Sequence, residues 1–190
     1  SLMQFIKDHK RFSRRGSYIK FNAADVQIDS FSIAGIKDEQ IIKQFNITKD
    51  SLVFWVNEPG SLPDTLKLGI KYHKTDTSGN LSPATENLKL VAPIKKKKDK
   101  DEQKSEKRED LLEFTIMSDN KKVEQEGIQF QFNEPLAVAG FDSITFTMST
   151  PKQIKSNVEF SIVQDSLDMK KYTLLPSVQF VKGNDYLLKI

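Results

Sequence analysis

Apolar residues in the first half of the chain recur at every second position. Leu52, Phe54 and Val56 share one face of SLVFWVN, and Leu66, Leu68, Ile70 and Tyr72 share one face of DTLKLGIKYH. A strand sends successive side chains to opposite faces, so this spacing predicts half-buried β-strands rather than helices. SYIKFN, VQIDSFSI, IIKQFNI and ENLKLVA predict four more, punctuated by Asn, Asp, Gly and Pro. The same period returns downstream, with Ile128, Phe130 and Phe132 in GIQFQFN, Ile144, Phe146 and Met148 in SITFTMS, and Val158, Phe160 and Ile162 in NVEFSIV. LLEFTIM opens that half, and SVQF and NDYLLKI close it. The best helical stretch, KDEQIIK at 37–43, is short of the roughly 12 residues that a marginal helix needs. The chain is therefore expected to be all-β, built of antiparallel sandwiches.

Between the halves the pattern stops. Residues 95–110 read KKKKDKDEQKSEKRED, with eight Lys or Arg against six Asp or Glu, a net charge of 8 − 6 = +2. Such a stretch has no apolar surface to offset its ordering entropy and reads as a solvated linker. Lys95 to Lys98 would suit a phosphate-binding patch, but acids follow at once and no aromatic is interleaved, so nucleic acid is not the expected partner. The expected organisation is an extension or the tail of a preceding domain at 1–12, a sandwich at 13–93, a linker at 94–110 and a second sandwich at 111–190.

The halves also resemble each other. YIKFNAADVQIDSFSI lines up with IQFQFNEPLAVAGFDSITF, FNITKDSLVFWV with FSIVQDSL, and DTLKLGIKY with NDYLLKI. The first half continues through TDTSGNL to ENLKLV, whereas the second stops at Ile190. The second sandwich is thus expected to lack its closing strand, or to be completed by another segment such as residues 1–12 or a neighbouring molecule. An unpaired edge is a physical liability.

Phe132, Asn133 and Pro135 in IQFQFNEPL, and Asp76, Gly79 and Asn80 in YHKTDTSGNL, together with the lysine tract between them, carry a family likeness. They resemble tandem bacterial Ig-like domains of S-layer-protein type, found in envelope lipoproteins of Bacteroidales-type bacteria. There an opening strand ends in F-N-x-P and an Asp-x-x-Gly-Asn turn precedes the last strand. The first half departs from this, reading FNAAD at 21–25, and the second half lacks the turn. The likeness implies an Ig-like sandwich fold, in two tandem domains. It also implies a parent at the periplasm or cell surface, tethered to the membrane only through a lipid anchor absent from this fragment. It implies no reaction.

Composition narrows the chemistry. With no Cys and only His9 and His73, thiolate sites, a cysteine nucleophile and most histidine metal sites are excluded. No apolar run approaches the ~20 residues of a membrane helix. No G-x-S-x-G, H-E-x-x-H or phosphate-binding glycine loop occurs, so no catalytic residue, metal ligand or cofactor is expected. Both histidines read as exposed polar residues, Ser17 as a turn residue entering a strand, and Asp76–Asn80 as a β-turn with Gly79 or Asn80 at positive φ rather than a calcium loop. Asp-Ser/Thr-aliphatic tripeptides at 50–52, 64–66, 142–144 and 165–167 look like O-glycosylation acceptors of such secreted proteins, although each also begins a predicted strand.

One pair stands apart. Phe54 and Trp55 are adjacent, so only one can face a sandwich interior. If Trp55 is the outer one, beside Val53, it could meet carbohydrate or protein. The leading expectation is a non-catalytic pair of spacer or interaction modules in a cell-envelope protein. The alternative is a glycan- or protein-binding module that presents Trp55, Phe12 or Tyr18.

Overall fold

A computed structural model describes residues 2–94, 112–119, 121–136 and 139–190. The charged tract at 95–110 lies outside the described residues. The chain divides into two compact units, Ser1–Glu106 and Lys107–Ile190. Each is all-β, made of two antiparallel sheets closed on one hydrophobic core.

Unit 1 uses β1 (Ile6–Arg11), β2 (Gly16–Phe21), β3 (Ile28–Ile33), β4 (Ile41–Phe45), β5 (Ser51–Val56), β6 (Thr65–Thr75) and β7 (Leu81–Val91). One sheet runs in the order β1-β2-β5-β4 and the other β3-β6-β7. Alternation decides which side chains meet. Ile19, Phe21, Leu52, Phe54 and Val56 point inward from the first sheet, and Phe31, Ile33, Leu66, Leu68, Ile70, Tyr72, Leu88 and Leu90 from the second. Phe31 meets Phe54 edge-on at 5.0 Å and Phe21 meets Tyr72 at 5.6 Å, so aromatic pairs join the two layers. KDEQIIK holds only a 3₁₀ turn, Asp38–Gln40, which leads into β4.

Residues 2–12 belong to unit 1 and are neither an extension nor the tail of a preceding domain. Ile6–Arg11 pair antiparallel with β2, and the segment before them is stitched into the unit. Gln4 is buried; its amide nitrogen donates to the Ala23 carbonyl, its side-chain oxygen accepts from the Ala23 N–H, and its backbone exchanges bonds with Thr75. β1 escapes a hydrophobic-pattern reading because it is IKDHKR, an edge strand whose charges keep its free side in water.

Unit 2 uses β8 (Phe114–Ile116), β9 (Ile128–Phe132), β10 (Thr145–Ser149), β11 (Lys155–Asn157), β12 (Phe160–Gln164), β13 (Lys171–Pro176) and β14 (Asp185–Lys189), with a four-residue helix, α1 (Val123–Glu126). Its sheets are β8-β9-β13-β12 and β11-β10-β14. Phe130, Phe132, Phe146, Tyr172 and Leu174 head its core. SVQF at 177–180 is not a strand. The strand lies just before it, where Tyr172 and Leu174 alternate inward, and Phe180 packs against Phe146 and Tyr186 from a loop.

Candidate functional site

The outer face of the β1-β2-β5-β4 sheet gathers the three aromatics singled out from the sequence. Phe54 is fully buried, so its neighbour Trp55 is the one that turns outward. Register then fixes the surroundings. Trp55 lies opposite Gly16 on one side and Ile42 on the other, and Tyr18 lies between Val53 and Lys10. Phe12 follows the last residue of β1, and its ring stands edge-on to Trp55 at 5.3 Å and stacked on Tyr18 at 6.3 Å. Phe12 is 40% exposed, and Tyr18 and Trp55 are half-buried.

Two local features hold this arrangement. Gly16 leaves the space that the rings fill: a Cβ there would lie 2.5 Å from Phe12 Cε2 and 2.8 Å from Trp55 Cζ3. The β1–β2 turn is fastened by the Phe12 and Ser13 N–H groups, which both donate to the Gly16 carbonyl, and by the Gly16 N–H, which donates to Ser13 Oγ. Arg11, directly before Phe12, is buried although charged. Its guanidinium donates to the carbonyls of Arg14, Pro63 and Asp64 over 2.6–3.1 Å, and burial lowers its affinity for its proton. These bonds tie the turn to the segment that enters β6 in the opposite sheet, which gives the aromatic face a rigid base.

The rim is polar. The Tyr18 hydroxyl donates to Asp8 Oδ2 at 2.9 Å, a bond that holds its proton above the usual phenol range, and Lys20 Nζ stands 5.1 Å from the Tyr18 ring centre. Rings bordered by a carboxylate and ammonium groups suit a partner that combines apolar faces with hydroxyls or other polar groups.

The other singled-out residues do not join this face. His73 is half-buried rather than exposed, its Nε2 3.4 Å from Asp29 Oδ2; two neighbouring strands of one sheet bring the pair together. His9 is exposed on β1. Ser17 is not a turn residue: it sits within β2, fully buried, and its hydroxyl has no hydrogen-bond partner. Asp76 forms the turn, its Oδ1 accepting from the Ser78 and Asn80 N–H groups, with Gly79 at φ +84°. Its carboxylate is thereby occupied by backbone. Among the described residues no group of three or more His, Asp or Glu is placed to hold a metal ion.

A polar cluster that the sequence pattern did not flag joins β1, β6 and β7. The Tyr72 hydroxyl and Lys74 Nζ both donate to Glu86 Oε1 at 2.8 Å, and the Ile6 N–H donates to the Tyr72 oxygen. Burial alone would raise the Glu86 carboxyl, but the bonds from Lys74 and Tyr72 outweigh it and hold Glu86 below the usual carboxylate range. Burial, with Glu86 beside it, holds the Tyr72 phenol far above its ordinary value. The cluster clips the sandwich along one side.

Neither a protein-family model nor a curated protein matches the sequence.

Proposed function

We propose that the chain is a pair of non-catalytic Ig-like modules of a bacterial cell-envelope protein, acting by contact, and that the Phe12, Tyr18 and Trp55 face meets its partner. The observation that carries this reading is the convergence of three rings from three neighbouring positions onto one outward sheet face, over a glycine that makes room for them. A solvated sheet face needs no such cluster, and stacked and edge-on rings with a polar rim are the equipment of a surface that grips a sugar ring or an amphipathic side chain. Envelope placement rests on the F-N-x-P and Asp-x-x-Gly-Asn likeness at 132–135 and 76–80.

The partner class favoured is a glycan, because Asp8, Lys10 and Lys20 put charged hydrogen-bonding groups beside the rings. Trp55 is the sole tryptophan, so its emission reports on this face directly. Titration with envelope-polysaccharide fragments should shift or quench that emission saturably, and Trp55→Ala or Phe12→Ala should weaken retention on the same material. Unchanged emission across the fragments, with retention indifferent to both substitutions, would refute the assignment. A protein partner would be recognised instead by emission changes with protease-sensitive envelope extracts and none with purified glycan.

A further inference from the structure

Register maps the whole outward face of the β1-β2-β5-β4 sheet, because residues directly opposite in an antiparallel pair share a side. One row holds Phe12, Trp55 and Ile42 around Gly16. The next holds Lys10, Tyr18, Val53 and Gln44, and the third Asp8, Lys20 and Ser51. The mapped positions thus carry two ammonium groups against one carboxylate. Asp8 Oδ2 is already engaged by the Tyr18 hydroxyl at 2.9 Å, and Lys20 Nζ is held 5.1 Å from the Tyr18 ring centre. Lys10 and Lys20 are exposed, and among the described residues neither stands in an ion pair. Positive charge beside the rings is therefore in excess.

Unit 2 shows that the fold does not require this set. Its β8-β9-β13-β12 sheet repeats the strand order of β1-β2-β5-β4. Ile19 lies opposite Leu52 in unit 1 and Phe130 opposite Tyr172 in unit 2, all four buried. Counted from those pairs, Tyr18, Lys20 and Trp55 correspond to Gln129, Gln131 and Leu175. Asp8 corresponds to Thr115 and Ile42 to Ser161. These outward positions of unit 2 hold no ring, and Lys171, in the place of Ser51, is their one charge. A sheet of this plan folds with mostly neutral outward side chains, so the rings and ammonium groups of unit 1 answer to something outside the fold.

We propose that the aromatic face takes an acidic oligosaccharide: sugar rings lie against Phe12 and Trp55 while carboxylate or phosphate substituents meet Lys10 and Lys20. This rests on the glycan reading of the face given above and adds the ligand's charge and length. Gly16, beneath the rings, and Lys20 are four residues apart on β2, about 13 Å at the strand rise. That span exceeds a single sugar ring, so the ligand is a chain. Charge complementarity selects it from neutral glycans, and the ring faces select it from a plain polyanion.

The test uses the 190-residue chain and envelope-polysaccharide fragments separated by anion exchange into acidic and neutral pools, with Trp55 emission as the readout. The acidic pool should bind saturably, and the neutral pool about tenfold more weakly. Reducing carboxylates to alcohols, or removing phosphate with hydrofluoric acid, should erase that preference and identify the anionic group. Lys10→Gln combined with Lys20→Gln should weaken acidic-pool binding by about tenfold and remove most of its salt dependence, with an unchanged denaturation midpoint. Asp8→Asn keeps an acceptor for the Tyr18 hydroxyl and removes a like charge, so it should tighten acidic-pool binding by about two- to threefold, a gain that misfolding cannot produce. Equal binding of the two pools, abolished in both by Trp55→Ala, would overturn the acidic preference and leave the glycan reading standing. Binding of neither pool would overturn both. Acidic-pool binding indifferent to the paired lysine change would also sink the proposal, as would tighter saturable binding of a polyglutamate peptide, which would show an acidic protein as the occupant.

Discussion

Gly16→Ala separates the architecture of the aromatic face from the stability of the unit that carries it. The added Cβ would meet Phe12 Cε2 and Cζ at 2.5 and 2.6 Å and Trp55 Cζ3 at 2.8 Å. Carbon atoms pack at about 3.5–4.0 Å, so a ring must retreat by about 1 Å. Phe12, the more exposed of the two and adjoining a turn, is the ring that yields. Its edge-on pairing with Trp55 contributes about 0.5–1.5 kcal/mol. Against that loss, Gly16 does not adopt a left-handed conformation, so alanine restricts the unfolded chain and returns about 0.4–1 kcal/mol. The two effects nearly cancel, and the net change in stability should stay within about 1 kcal/mol. The face, by contrast, is dismantled. Chemical denaturation of G16A should therefore give a nearly native midpoint, while Trp55 emission and the near-ultraviolet dichroism change in the folded state. A variant that keeps both optical signals, or that loses more than about 2 kcal/mol, would refute the reasoning from ring displacement.

Removing the buried guanidinium should cost far more. Arg11→Ala strands the carbonyls that it serves and should destabilise unit 1 by about 2–4 kcal/mol in equilibrium denaturation, with Arg11→Lys recovering only part because it lacks the planar fork. The Glu86 carboxyl lies below its ordinary value of 4.5 when folded, so its contribution is complete above about pH 4.5 and is lost as pH falls through the lower folded value. Glu86→Gln should flatten that acid limb of unit 1 stability, by about 1 kcal/mol, when melting is followed by Trp55 emission. Phe130→Ala in the unit 2 core should cost about 3–5 kcal/mol by hydrogen exchange over β9 and β13, with the unit 1 transition reported by Trp55 unmoved.

Period-two alternation made most strands readable from residues alone, because a core between two sheets demands apolar side chains at every second position. It failed where that demand is absent. β1 is an edge strand with only its first and last residues drawn into the unit, so IKDHKR carries no stripe, and Arg11 is buried through its bonds to carbonyls rather than by hydrophobicity. β13 was hidden because Tyr172 and Leu174 run straight into Leu175 and Pro176, which blurs the alternation, while SVQF next to it has the composition of a strand without the pairing. Adjacency of Phe54 and Trp55 revealed that one ring must face outward. That Phe12 and Tyr18 would join it depended on strand order and on the space above Gly16, neither of which a linear pattern contains.

The claim that this protein works through its aromatic face is tested most directly by amide and indole chemical-shift mapping as envelope-polysaccharide fragments are added. The expected perturbations concentrate on the Trp55 indole and the backbone of Phe12, Gly16 and Tyr18, and disappear in Trp55→Ala. Shifts confined to other surfaces, or a saturating partner that leaves these resonances in place, would contradict it.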